Sequence, residues 1–221
     1  MIQERTAERS GLLKCAIFMT LFVARYIISK FTDSHVIKLS GYVILAVVGI
    51  ILFREDFLTG LKDFKEKPFK NTIWIFVGLI ANYIAQMLGA IPENIFYPDY
   101  SNANTVGVMN AMKVLSPFLY ISIMGIIGPI AEEIMFRLIL VDKLRNRIPW
   151  VIPVIISGVL FGAYHMHVLN VPEFVSCFSH VMSGVVLAII MVRKRNVIIT
   201  SGIHIIFNLY ALLTYAFMLS R

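Results

Sequence analysis

Residues 128–137 have the sequence GPIAEEIMFR, which places Glu132, Glu133 and Arg137 inside an otherwise apolar segment. No other charged residue occurs in residues 114–141. If this segment spans a membrane, each charge at the centre of the bilayer costs roughly 2.5 to 3.5 kcal/mol on insertion scales. We therefore expect these residues to pair with one another or to line a polar cavity inside the protein.

The spacing predicts which of these charges pair. Glu133 and Arg137 are four residues apart, so on a helix they share one face, in the favourable order of acid before base. Glu132 lies about 100° around the same helix and is left without that arginine. A buried Glu–Arg pair can serve helix packing alone, but a second, unpaired carboxylate favours a chemical role.

The composition predicts an integral membrane protein. The chain has 221 residues, of which 58% are hydrophobic and 15% charged, and its mean hydropathy is +0.80. Such values are typical of polytopic membrane proteins. The net charge is +7, but the basic residues cluster in short hydrophilic stretches and form no stripe with interleaved aromatic residues. We therefore expect no nucleic-acid partner and attribute the charge to cytoplasmic loops.

Seven apolar runs approach the roughly 20 residues that a helix needs to cross the hydrocarbon core. They cover residues 11–29, 36–53, 72–91, 114–141, 148–168, 174–192 and 197–219. The first run contains Lys14 and Arg25 and has no small-residue cleavage site, so we interpret it as a retained helix rather than a signal peptide. The fourth is too long for one straight span, and Gly125, Gly128 and Pro129 predict a kink there. The prediction is an all-α polytopic membrane protein, a bundle of about seven transmembrane helices with a buried active site.

Three connecting segments carry many of the basic residues. Residues 54–70 hold one arginine and four lysines, while residues 143–147 and 193–195 hold three basic residues each. By the positive-inside rule these loops are cytoplasmic, which predicts a cytoplasmic N-terminus and an external C-terminus. Residues 92–112 then lie outside, where their aromatic residues and asparagines predict an interfacial cap.

Two further apolar runs contain polar residues at helical spacing. Phe161 and His165 are four residues apart in the fifth run, and His204 and Asn208 are four apart in the seventh. A single membrane histidine can simply hydrogen-bond between helices. Together with Glu132 on a third helix, however, these residues form an inward-facing set that can hold a water and stabilise developing negative charge.

Other residues of these runs are interpreted as structural. His167 lies about 200° around the helix from His165 and is expected to face away from the site. Packing is the default role for His180. The small residues of the fifth and sixth runs predict close helix contacts, and they are Gly158, Gly162, Ser183 and Gly184.

The predicted depths of the polar residues do not agree fully. At about 1.5 Å per residue from the cytoplasmic helix ends, Glu132 lies about 15 Å deep, His204 about 11 Å and His165 about 24 Å. A fifth helix that is tilted or starts late, near Pro149 and Pro153, would reduce this difference.

In their order and spacing, these motifs resemble those of the CPBP family, which comprises the CAAX proteases and the bacteriocin-processing or self-immunity proteins also called Abi. The motifs are Glu132-Glu133 with Arg137, Phe161 with His165, and His204 with Asn208. The resemblance covers residues 114–212 and includes the lead-in Pro129-Ile130-Ala131. We therefore expect N-terminal helices and loops at residues 1–113 and a CPBP-like catalytic core at residues 114–219, within one membrane domain.

The resemblance implies a glutamate-dependent intramembrane endopeptidase. Glu132 and His165 would activate a water for attack on the scissile carbonyl, and His204 with Asn208 would stabilise the oxyanion. A His–Asn pair at this spacing can direct two hydrogen-bond donors to one point. The supporting residues would be Glu133, Arg137 and Phe161.

No cofactor is expected. Two histidines and a carboxylate can ligate zinc, but the sequence lacks the His-Glu-x-x-His helix of soluble zinc proteases. A catalytic metal is therefore the less favoured alternative.

The resulting hypothesis is a multi-pass protein of a bacterial cell membrane that cleaves a polypeptide. The expected partners are the lipid bilayer and a peptide precursor, such as a bacteriocin or signalling peptide, or a membrane protein. The main alternative is a bacteriocin self-immunity or regulatory protein that acts by binding rather than cleavage. A transporter is disfavoured, because the polar residues are confined to the C-terminal half and do not repeat in the first half.

Overall fold

The computed structural model describes residues 2–145 and 147–220, with side chains from Arg9 onward, and within those ranges all regular secondary structure is helical. The α-helices are α1 (Ile2–Lys30), α2 (His35–Leu52), α3 (Arg54–Glu66), α4 (Pro68–Phe96), α5 (Ala103–Val114), α6 (Pro117–Ser122), α7 (Gly128–Glu133), α8 (Val151–Tyr164), α9 (Val171–Ser176), α10 (Phe178–Lys194) and α11 (Val197–Leu219). Two π-helical segments, Ile123–Ile127 and Ile134–Lys143, flank α7.

The long helices have the length and composition of membrane spans. Five in the described ranges qualify, namely α1 from Arg9 onward, α2, α4, the continuous pair α9–α10 and α11. The apolar helix α8 is shorter, and the run from α6 to Lys143 is interrupted by the π-helical segments. These seven elements correspond to the seven predicted runs, so the chain is an all-α polytopic membrane protein, as predicted.

The fourth predicted run is interrupted where its glycines and proline indicate. Pro129 has no backbone N–H to donate to the carbonyl of Gly125, which weakens the regular ladder there. In the structure, the N–H of Gly128 bonds instead to the carbonyl of Ile123, five residues earlier. The second π-helical segment, after Glu133, has no comparable glycine or proline signal and was not predicted.

The structure corrects two of the predicted loops. Residues 54–70 form α3 and the start of α4, because acidic residues in the first turn and i,i+4 pairs stabilise a helix in this charged stretch. Residues 92–112 are not a continuous cap: α4 runs on to Phe96 with Pro92 inside it, and α5 begins at Ala103. The side chain of Asn102 caps α5 by accepting a hydrogen bond from the N–H of Thr105.

The three basic segments meet at one end of the bundle, which we call the basic end. The ammonium of Lys143 lies 2.5 Å from Asp56 of α3, and Arg195 lies 3.4 Å from Asp142. The amide of Asn196 donates to the carbonyl of Gly60 at 3.0 Å. The prediction that these segments share one side is confirmed, whereas their assignment to the cytoplasm stays a prediction.

A single buried carboxylate joins the loops at the opposite end, which we call the cavity end. Glu173 has no exposed surface, and its oxygens accept hydrogen bonds from the hydroxyl of Tyr100 at 2.7 Å and the N–H of Ala103 at 2.9 Å. A third bond comes from the N–H of His167 at 3.1 Å. Lys30, the last residue of α1, also contacts His167, so α1 begins at the basic end.

Small residues allow α8 and α10 to approach closely, as the sequence predicts. A Cβ atom at Gly184 would lie 2.8 Å from the Cα of Gly158, and one at Gly162 would lie 2.3 Å from a methyl group of Val181. Ser183 donates to Asn82 of α4 at 2.6 Å. These contacts fix the end of α8, where His165 follows.

Candidate active site

A cavity of about 900 Å³ extends from the loops of the cavity end into the bundle. Helices α1, α2, α4 and α5 contribute to its wall together with the C-terminal helices. The predicted site residues that line it are Glu132, Phe161, His165, His204 and Asn208. The remaining two, Glu133 and Arg137, lie behind this wall and are fully buried.

Glu133 is the centre of a buried polar cluster. Its Oε1 atom is 3.5 Å from Nε of Arg137, the ion pair that the spacing predicts. The same oxygen is 2.9 Å from Nδ1 of His204. Because a carboxylate paired with arginine accepts hydrogen bonds, Nδ1 of His204 is the donor. Since breaking a buried ion pair is costly, this cluster ties α7 to α11.

Glu132 faces the cavity and stands apart from that ion pair. Its side chain is 5% exposed, and its Oε2 atom is 3.7 Å from Nε2 of His204. Arg137 forms its ion pair with Glu133 rather than with Glu132. His204 therefore lies between two carboxylates, bonded to one and facing the other.

Asn208 lies one helical turn after His204 and also lines the cavity. Its amide donates to the carbonyl of Met124 over 3.5 Å, a long bond to the first π-helical segment. His204 is bonded to Glu133, whereas Asn208 is bonded to the carbonyl of Met124, so the two side chains share no partner here. Their convergence on one oxyanion stays a prediction.

His165 follows the last residue of α8 and presents one free ring nitrogen. Its Nδ1 atom is 2.8 Å from the carbonyl of Phe161, and because a carbonyl only accepts, Nδ1 carries the proton. The Nε2 atom of the neutral ring then has a lone pair with which to accept a proton from water. Helix α8 begins at Val151, three residues after the predicted start at 148, which removes about 4.5 Å of the difference in predicted depth.

Phe161 is the packing element that joins the site residues. Its ring centroid is 4.6 Å from that of His165 and 5.6 Å from that of His204. The guanidinium carbon of Arg137 lies 4.3 Å from the same ring, a distance suited to a cation–π contact. One aromatic side chain thus connects the two histidines with the buried arginine behind them.

Sequence reasoning missed several residues of the cavity wall. His180, expected to serve packing, stacks on His165 with ring centroids 4.4 Å apart and planes at 21°. Arg25, Tyr42 and Tyr164 form a polar group on another part of the wall. The available signal was Arg25 itself, since an ionisable residue inside an apolar span is by default a candidate functional residue.

The prediction that His167 faces away from the site is wrong. Helix α8 ends at Tyr164, so an angle counted around a continuous helix does not apply three residues later. His167 instead lies at the rim of the cavity, where Nε2 is 3.3 Å from Asn104 of α5.

The residues described include no group of three or more histidine, cysteine or acidic side chains arranged to hold a metal ion. His165 and His180 have parallel rings rather than converging nitrogen atoms. That the site works without a metal stays a prediction.

The fold and this cavity define an integral membrane protein with buried carboxylates and histidines suited to acid–base chemistry. Residues 114–210 match the family model described as "Type II CAAX prenyl endopeptidase Rce1-like". The chain is also 22% identical to "Putative membrane peptidase YdiL" of Bacillus subtilis (strain 168) over 204 residues, which are 87% of this chain and 79% of that protein. No solved structure matches the chain.

Both similarities are to membrane peptidases, and they support a membrane protease as the class of this protein. The three motifs of the sequence lie inside the matched residues, so the resemblance to the CPBP/CAAX proteases extends to the family model. The family model ends two residues beyond Asn208, so it includes all seven residues of the predicted site.

Proposed function

We propose that the chain is an intramembrane endopeptidase in which Glu132 and His165 activate a water molecule. One observation carries the proposal: Glu132, His165, His204 and Asn208 belong to three separate segments of the chain and line one cavity inside a membrane bundle. Enclosure by the bundle limits bulk water and strengthens every electrostatic interaction within the cavity.

The proposed reaction begins with a water held between Glu132 and Nε2 of His165. Glu132 takes one proton while the water oxygen bonds to the scissile carbonyl carbon, which gives a tetrahedral intermediate with a negative oxygen. The C–N bond then breaks, and Glu132 returns the proton to the leaving nitrogen. The products are a new carboxyl terminus, whose proton passes to His165, and a new amino terminus.

We further propose that His204 and Asn208 donate hydrogen bonds to the negative oxygen of the intermediate. A protonated His204 can donate through Nε2 while Nδ1 remains bonded to Glu133. The same carboxylate of Glu133 also pairs with Arg137, which fixes the position of the acceptor behind the ring. Phe161 supports the site by holding both histidine rings through contact.

The proposed substrate is a polypeptide that reaches the cavity within a bacterial cell membrane. The candidates are a peptide precursor, such as a bacteriocin or signalling peptide, and a membrane protein, each of which would place only a short segment in the cavity of about 900 Å³. The basic end is proposed to face the cytoplasm, with the N-terminus on the same side. No cofactor enters the proposed reaction.

Comparative membrane proteomics and peptidomics of cells that express the wild-type chain or Glu132→Gln test this function. The substitution preserves size and removes the base, so we expect proteolytic turnover to fall about 10²- to 10⁴-fold. Specific precursor proteins should then accumulate and their fragments disappear. The matched control is Glu66→Gln on the exposed surface of α3, which removes the same charge at the basic end.

A binding function gives the opposite result. If Glu132→Gln accumulates normally in the membrane and leaves both the peptide pattern and any immunity phenotype unchanged, the protein acts by binding, as a self-immunity or regulatory protein does. Loss of cleaved fragments in Glu132→Gln alone supports proteolysis.

A further inference from the structure

Arg25 is a positive charge in the apolar helix α1, and it lines the same cavity as Glu132 and His165. Its NH1 atom donates to the hydroxyl of Tyr164 at 2.8 Å. Its guanidinium carbon lies 3.6 Å from the ring centroid of Tyr42, within cation–π distance. These contacts hold the guanidinium in one position on the cavity wall.

Arg25 makes no direct ion pair among the described residues. None of the ion pairs within 4.0 Å includes it. Its other hydrogen bond, from NH2 to the carbonyl of Lys38, is long at 3.4 Å, and its buried Nε atom has no hydrogen-bond partner. Charged residues in a membrane span pair with one another or with backbone carbonyls. Glu132 attracts Arg25 across the cavity without contacting it, so the guanidinium can still take a direct anionic partner from a ligand.

The surroundings of Arg25 are shaped to hold it. A Cβ atom at position 41 would lie 2.8 Å from the Cγ atom of Arg25, so Gly41 leaves room for this side chain to pass α2. The hydroxyls of Tyr42 and Tyr164 are 2.8 Å apart. The ring of Tyr164 is 5.4 Å from that of His165, which places this polar group beside the proposed catalytic residues.

A count of protons leaves one donor for a ligand. The hydroxyl of Tyr164 accepts from Arg25, and one hydroxyl proton is shared between Tyr164 and Tyr42. The other hydroxyl proton of this pair is free. Lys30 and Lys38 also line the cavity, while Glu132 contributes a negative charge that acts on both tyrosines.

We propose that Arg25, Tyr42 and Tyr164 form a subsite that binds a carboxylate of the polypeptide substrate, either the C-terminal carboxylate or an acidic side chain. Guanidinium and hydroxyl donors together match the two oxygens of a carboxylate. Neutralising this carboxylate inside the membrane orients the peptide and brings its backbone past His165. This inference rests on the proposed function, because it assumes that a polypeptide occupies the cavity.

Binding of labelled peptides to the purified protein in nanodiscs tests the subsite without cleavage. The protein carries Glu132→Gln so that bound peptide stays intact. Three probes share one apolar hexapeptide sequence with a fluorophore at the N-terminus: a free C-terminal acid, the C-terminal amide, and an amide with one internal aspartate. Octyl phosphate serves as a competing anion of different chemistry.

We expect a carboxylate-bearing probe to bind about 10- to 100-fold more tightly than the neutral amide. Preference for the free acid identifies the C-terminus as the ligand, and preference for the aspartate probe identifies a side chain. Adding Arg25→Gln should abolish the preference, whereas Lys14→Gln, an exposed lysine on the same helix, should leave it intact. If Arg25→Gln fails to fold, Arg25→Lys and Tyr42→Phe should each reduce the preference.

Equal affinity for all three peptides, or binding of none, overturns the proposal. The proposal also fails if octyl phosphate displaces the peptides while the carboxylate-bearing peptides bind no better than the neutral amide, because the ligand is then a phosphate. The two proposals can fail separately. If carboxylate binding depends on Arg25 but Glu132→Gln leaves the peptide pattern of the cells unchanged, the subsite is supported and only the proposed protease activity is rejected.

Discussion

The two ends of the bundle are held together by different interactions. At the basic end, charged side chains pair with one another across three segments, as in the contacts Lys143–Asp56 and Arg195–Asp142. At the cavity end, one buried carboxylate, Glu173, instead accepts hydrogen bonds from two backbone N–H groups and a tyrosine hydroxyl.

This difference follows from what each end must do. Pairs of long side chains near solvent contribute little energy each and tolerate movement, which suffices where helices only need to be connected. A buried carboxylate that binds backbone atoms fixes the chain itself. At the cavity end it holds residues 97–103 and 165–170, which form part of the rim of the cavity.

The largest effect is expected from breaking the buried ion pair beside the cavity, which tests whether charges there are more important for stability than those at the basic end. Glu133→Gln and Arg137→Met should each lower the free energy of unfolding by about 3–5 kcal/mol, because each leaves a buried partner unpaired. The double variant should lose much less than the sum of the two. Chemical unfolding in detergent micelles provides the measurement.

The matched control for this double-mutant cycle is the exposed pair Lys62–Glu66 on α3, which has the same i,i+4 spacing. Its double-mutant coupling should be about 0.3–0.5 kcal/mol or less. Equal coupling energies for the two pairs would contradict the contrast between buried and exposed charge.

An intermediate effect is expected at the cavity end. Glu173→Gln replaces one acceptor oxygen by an NH2 group that cannot accept from Tyr100, Ala103 or His167. We expect a loss of about 1–3 kcal/mol and faster hydrogen exchange in residues 97–103 and 165–170.

Hydrogen exchange followed by mass spectrometry measures the change segment by segment, with Glu66→Gln as the charge control. Exchange at α3 and residues 143–145 should stay unchanged in Glu173→Gln. Faster exchange at both ends would show that the two ends are not independent.

The smallest effect concerns Asp63 at the basic end. The hydrogen bond from Lys67 lowers the pKa of Asp63, and the amides of Asn71 and Asn196 also donate to it. A carboxyl with a lowered pKa stabilises the fold above its ordinary value of about 3.9, and this contribution disappears as the pH falls through the folded pKa.

Asp63→Asn should therefore lower stability by at most about 1 kcal/mol at neutral pH, because Asp63 is partly exposed. The melting temperatures of the wild-type chain and Asp63→Asn should differ by a constant amount above about pH 5 and converge below the lowered pKa of Asp63. A difference that persists at the lowest pH would reject this linkage.

Local spacing in the sequence predicted the contacts that lie on one helix or in ordered motifs. The Glu133–Arg137 pair and the common side of the basic segments followed from i,i+4 geometry and charge. The shared cavity of the motif residues followed from the cost of isolated polar groups in apolar helices.

Features that depend on where helices end, or on partners distant in sequence, could not be predicted in this way. His167 was misjudged because α8 stops at Tyr164. The stacking of His180 on His165 depends on how α10 packs against α8. α3 was missed because its many charges resemble those of a loop, although they pair along a helix.

The second π-helical segment, Ile134–Lys143, has a consequence for comparisons between relatives of this chain. A π turn holds one more residue than an α turn, so it acts as a one-residue insertion absorbed without a loop. Deleting that residue would restore ordinary helix and rotate Glu132 and Glu133 by about 100° relative to the sequence that follows. Two homologues can therefore share every motif residue and still orient their carboxylates differently, if only one of them retains the π turn.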